Sequence, residues 1–61
     1  MANLTTKGLT ALEEQISSEQ ILVKKYEAMA SLCSDTKIQQ DLNGFASKHR
    51  GHFNTLISFL Q

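Results

Sequence analysis

Cys33-Ser34-Asp35-Thr36-Lys37-Ile38-Gln39 is the stretch on which the fold turns. Ser34, Asp35 and Thr36 carry short oxygen-bearing side chains that bond free backbone donors at the start of a helix. Gln39, three positions after Thr36, completes a capping box. On either side, from about Thr6 to Cys33 and from Thr36 to about Leu60, apolar residues recur every three or four positions, which is the helical period. The chain has no proline, and its glycines stand only at 8, 44 and 51, so the usual signals for hairpin strands and linkers are missing. At the front, Thr5 or Thr6 can cap the first helix. Thr10 with Glu13 offers a second box slightly further on, and the earlier start is preferred. So short a connection makes the helices antiparallel neighbours. The expected fold is all-α, an antiparallel two-helix hairpin of about 6–33 and 36–60, forming one domain over 1–61.

Size then asks for a partner. A chain of 61 residues is below the range in which one core usually suffices without disulfides, a metal or a second subunit. Cys33 is the single cysteine, so no disulfide can form within the chain, and neither a charged-then-apolar leader nor a long apolar run is present. The expected setting is reducing and cytoplasmic, without membrane insertion. Six basic residues balance six acidic ones, and Lys24, Lys25, Lys48 and Arg50 are interleaved with other residues, which argues against nucleic acid as a partner. Metal binding and self-association remain. A homodimer of hairpins, forming a four-helix bundle, is the expected assembly.

On a heptad reading, the seam of the first helix runs Leu9, Leu12, Ile16, Glu19, Val23, Tyr26, Ala30 and Cys33, widened by Leu22 and Met29. That of the second runs Ile38, Leu42, Phe45, His49, His52, Leu56 and Phe59, widened by Ala46, Phe53 and Leu60. Three polar residues interrupt an otherwise apolar stripe: Glu19, His49 and His52. With the turn centred between Ser34 and Asp35, they stand at heights of roughly 23, 22 and 26 Å, all within about 5 Å of one another. Heptad phase and height thus agree independently.

A buried carboxylate without partners is strongly disfavoured, so the cluster needs an internal explanation. In one, Glu19 accepts a hydrogen bond from a histidine and the polar layer fixes register. In the other, His49 and His52 present ring nitrogens from successive turns and Glu19 closes on the same ion from the neighbouring helix. Two histidines and one carboxylate suit zinc with a water, or ferrous iron with exchangeable positions.

Glu19 followed seven residues later by Tyr26, with small Ala30 beyond, resembles the first helix of a ferritin-like, rubrerythrin-type half-bundle. The stretch from Phe45 to Leu56 resembles the second, where that family carries Glu-x-x-His. His52 matches the family histidine and Glu19 the first-helix glutamate, whereas His49 stands in place of the second glutamate. Lys24-Lys25-Tyr26 and Lys48-His49-Arg50-Gly51-His52 resemble, more closely still, the short spore-coat ferritin-like proteins. This likeness spans nearly the whole chain. It implies a ferritin-like four-helix bundle, metal at Glu19, His49 and His52, coat-protein partners and a place in the spore coat. It also implies that Tyr26 bonds a metal-ligating group of the other half-bundle; as a seam aromatic, Tyr26 is otherwise simply core.

His49 in place of a glutamate alters the charge count. A dimer would hold two Glu19, two His49 and two His52, where the ferritin-like di-iron site has four carboxylates and two histidines. Two divalent ions would then need added anions, so one ion per subunit or a single shared ion stands beside a pair. Three functions follow in order: a divalent-metal-binding protein, iron or zinc, without assigned catalysis; a metal-free structural or assembly module; and a non-haem iron oxidoreductase. Cys33, distant from both histidines, is expected to be a small apolar residue near the loop. Gly51 is expected to cost helix stability and to permit close approach at an interface. Ile21 and Ile57 lie off the stripe.

Overall fold

The computed structural model describes residues 3–61. Two helices form within it, α1 (Thr6–Ser31) and α2 (Thr36–Ser58), packed against each other. The α1 N-terminus is the earlier of the two candidates. Thr5 has extended backbone, and its Oγ1 accepts the Gly8 N–H at 3.0 Å, satisfying one of the free donors of the first turn.

Both ends near the turn differ from expectation by about a residue or two. The cap of α2 is Asp35, whose carboxylate accepts the Ile38 N–H at 3.0 Å, and Thr36 is already the first helical residue. For Asp35 to take the extended conformation of a cap, the chain must leave α1 earlier, so Cys33 lies in the connection rather than on the last helical turn. Gln39 does not reach back to a cap. Its amide Nε2 instead donates to the Ala30 carbonyl at 3.0 Å and to the Cys33 carbonyl at 3.5 Å, tying the end of α1 to the start of α2. At the far end the helix stops at Ser58, short of Leu60. The Phe59 and Leu60 N–H groups bond three residues back, a tightening common where a helix runs out.

The hairpin is one layer thick. Its extents are 45 × 14 × 11 Å, the shortest being about the diameter of a single helix. Its radius of gyration is 14.3 Å, where a compact domain of this length would have about 10.5 Å. Among the described residues only Ala30, Ala46 and Glu19 are buried. The seam and its flanks are therefore only half-covered. Ile38, Phe45 and Phe59 keep 51%, 45% and 47% of their surface, and Met29 and Leu9 are exposed as well. Ile21 is exposed, as its position off the stripe requires, while Ile57 is partly covered.

The two sides of the layer differ. Successive helical residues are about 100° apart, so residues next to each other in sequence can point to opposite sides of a seam. Glu27 and Arg50 form an ion pair across one side, and Gln20, Lys24 and Asn54 lie along the same groove. One position earlier on each helix, Tyr26 and His49 meet on the other side. Met29, Ile38, Phe45 and Phe59 fall on that second side by the same spacing. One side thus carries an ion pair that spans the two helices, and the other carries Met29, Ile38, Phe45 and Phe59 as exposed apolar residues, edged by the Lys37–Asp41 pair within α2. No helix among the described residues is long and apolar enough to cross a membrane.

Candidate metal centre

Glu19 sits near the middle of α1, at a seam position where the two helices face each other, and is 4% exposed. What makes this tolerable is the company of the two histidines. Nδ1 of His49 donates to Glu19 Oε1 at 2.9 Å, and Nδ1 of His52 donates to Oε2 at 3.0 Å, so both carboxylate oxygens are bonded. The two imidazoles, three residues apart on α2, stand nearly perpendicular, with ring centroids 5.6 Å apart. All three residues identified from heptad phase and height meet in one cluster.

Side-chain direction explains the convergence. On a helix, side chains lean toward the N-terminus. In an antiparallel hairpin those of α1 lean away from the turn and those of α2 toward it. Glu19 therefore leans up between the levels of His49 and His52, which lean down. The same rule brings Tyr26 to His49, although their backbones are separated by about 9 Å along the axis. The Tyr26 ring stacks on the His49 imidazole at 5.6 Å with 4° between planes, and meets Phe45 edge-on at 5.5 Å. Heptad counting placed Tyr26 in the seam but not on His49; the lean of the side chains was the signal that could have found this contact. Gln15, Thr55 and Leu56 complete the wall of the groove around the cluster. Gln15 lies four before Glu19 and Leu56 four after His52, so helical spacing alone would have named them.

Burial differs within the cluster. The His49 side chain is 24% exposed, covered on one face by Tyr26, while that of His52 is 64% exposed and stands at the mouth of the groove. The hydrogen bond from His49 holds the Glu19 carboxyl below its ordinary value of 4.5. Burial pushes the other way, and the charge of His49 and the bond from His52 add to the lowering. The carboxylate is consequently ionised at neutral pH and available as a ligand or a hydrogen-bond acceptor.

One ligand atom from each of Glu19, His49 and His52 can be chosen so that all lie within 4.8 Å of one another, close enough for the group to hold a metal ion. The donor set fits: two imidazoles and one carboxylate are the nitrogen and oxygen ligands of zinc or ferrous iron. Since Nδ1 of each histidine faces the carboxylate, an ion between them would take the place of the two Nδ1 protons. Each ring would then carry its proton on Nε2. Without an ion the cluster is also satisfied, and among the described residues no buried side-chain nitrogen or oxygen lacks a partner. Cys33 is remote from this group; its thiol donates to the Asp35 carbonyl at 3.5 Å.

No protein-family model, curated protein or solved structure matches this chain.

Proposed function

We propose that this protein is a divalent-metal-binding protein of ferritin-like architecture, in which two hairpins pair through their apolar sides into a four-helix bundle around Glu19, His49 and His52. The observation that carries it is the cluster itself: the one buried carboxylate among the described residues is bonded on both oxygens by histidines of the facing helix. Zinc or ferrous iron is the ion, and a place in the spore coat, among coat proteins, accompanies the same family likeness.

Surface area supports the pairing. The chain exposes 4559 Å², against about 4,000 Å² for a folded monomer of its 6.8 kDa mass. The excess of about 600 Å² is close to the roughly 800 Å² that each partner gives to a standard interface. Met29, Ile38, Phe45 and Phe59 are the residues that such a pairing would cover.

A bound divalent ion would supply Lewis acidity and fixed positive charge at the groove. The chain's own residues do the rest. Glu19 and the two histidines hold the ion, Tyr26 fixes the plane of His49, and Leu56 with the paired subunit excludes water. No reaction is assigned. A non-haem iron oxidoreductase ranks last, because one carboxylate per chain supports little charge on iron.

A second reading is favoured by the bonding of both Glu19 oxygens without an ion: a structural module whose polar layer sets register. Elemental analysis separates the two, comparing protein purified without chelators with the His49→Ala/His52→Ala variant. Metal in the first and none in the second is expected. Equal metal content in both would sink the ligand assignment.

A further inference from the structure

Each chain offers three ligands, one of them charged, on the side of the hairpin that is left open. We propose that a single divalent cation is shared by two copies of the chain, each contributing Glu19, His49 and His52 as half of a six-ligand set, and that the ion thereby strengthens dimerisation. This rests on the metal-binding reading above and adds to it a stoichiometry and a consequence for assembly.

Charge decides the number of ions. The remaining groove wall is Gln15, Thr55 and Leu56, so Glu19 is the one carboxylate that each copy brings to the site. Two copies supply two negative charges, which a single divalent ion balances. Two ions would leave two uncompensated positive charges in a covered interior, where unpaired charge is costly, unless added anions entered with them. Donor count agrees. Three ligands fill half of an octahedron, and four imidazoles with two carboxylates fill a whole one, a set of nitrogen and oxygen donors suited to divalent first-row metals.

Placement makes sharing feasible. Glu19 is at the middle of α1 (Thr6–Ser31), and His49 and His52 lie within about a turn and a half of the middle of α2 (Thr36–Ser58). A two-fold axis across the middle of the hairpin brings equal levels of the two copies face to face, and a two-fold interface uses the same patch on both. The cluster also opens on the side of Phe45 and Ile38, away from the Glu27–Arg50 pair. Whatever covers that side therefore covers the site. His52, whose side chain is 64% exposed, is the member of the cluster left most open to a facing copy.

The test uses cobalt(II) chloride with the full chain, reading stoichiometry by titration and mass by sedimentation equilibrium. Saturation at one cobalt per two chains is expected, with the dimer dissociation constant falling at least about tenfold. His52→Ala should lose this response to cobalt. Ile38→Glu places a charge on the open side, at an exposed position in the first turn of α2, where an acid suits the helix end. It should weaken pairing and, with it, cobalt affinity. Saturation at one cobalt per chain overturns the shared ion and leaves the metal-binding reading standing, as does wild-type cobalt affinity in a monomeric Ile38→Glu variant. No cobalt uptake by the wild type overturns that reading itself, and the proposal with it. Stoichiometry is read on the unaltered chain, so an unfolded variant does not affect it.

Discussion

The ring of Tyr26 lies parallel to the imidazole of His49, the two centroids 5.6 Å apart with 4° between their planes. A residue on α1 thereby packs against the plane of an imidazole on α2, and Phe45 meets the tyrosine edge-on. Residues that orient a metal ligand typically change metal affinity 10- to 100-fold when removed. Tyr26→Ala is expected to weaken zinc binding about tenfold, and Tyr26→Phe to leave it nearly unchanged, because the stacking face is retained. Competition with a chromophoric chelator measures both. An equal loss in the phenylalanine variant would mean that the hydroxyl acts through a bond to the facing half-bundle.

Acid should loosen the metal-free protein through Glu19. Its carboxyl lies below the ordinary value of 4.5 in the folded chain, chiefly because His49 bonds its charged form. A group with a lowered folded value contributes stability that is complete above its unfolded value and is lost as pH falls through the folded one. Unfolding free energy should therefore decline on going below pH 4.5. In Glu19→Gln this part of the decline should be absent. Urea unfolding at fixed chain concentration tests it; identical acid profiles for the two proteins would remove Glu19 from the explanation.

The two caps proposed at the turn make opposite predictions. Asp35 accepts the Ile38 N–H, whereas Thr36 is within the helix. Asp35→Ala should cost about 1 kcal/mol, the ordinary value of a lost cap, and Thr36→Ala much less. For a domain of this size, 1 kcal/mol is a fall in Tm of about 4–8 °C. A larger loss for Thr36→Ala would restore the capping box with Gln39.

At Gly51 a Cβ would meet nothing within 4 Å, and the same is true at Gly44. Both lie on the side of α2 remote from the groove, by the 100° spacing. Gly51→Ala should raise stability by about 1 kcal/mol, through the gain in helix propensity, without changing the dimer dissociation constant. Weakened association in that variant would place Gly51 in the interface, at odds with pairing through the Phe45 side.

Much of this protein was legible before any fold was seen. The helical period, the break at Ser34-Asp35-Thr36 and the short connection are local properties. They fixed two antiparallel helices, and with them the relative heights of Glu19, His49 and His52, because a hairpin turns sequence distance into axial height.

Other features depended on directions in space that spacing does not carry. Which residue caps α2 was settled by the backbone of Asp35, and the use of Gln39 as a tie to Ala30 and Cys33 by the distance across the turn. The stacking of Tyr26 on His49 came from the opposed lean of side chains on antiparallel helices. That Glu27 and Arg50 pair on one side of the seam while Phe45 and His52 stand on the other exists only once both helices are placed. The sequence by itself determined that Glu19 and two histidines share one level of one seam, because helical rise and period are constants of the backbone. Only the tertiary structure decided that both Nδ1 atoms reach the one carboxylate, because that depends on how the two helices are rotated about their axes when they pack.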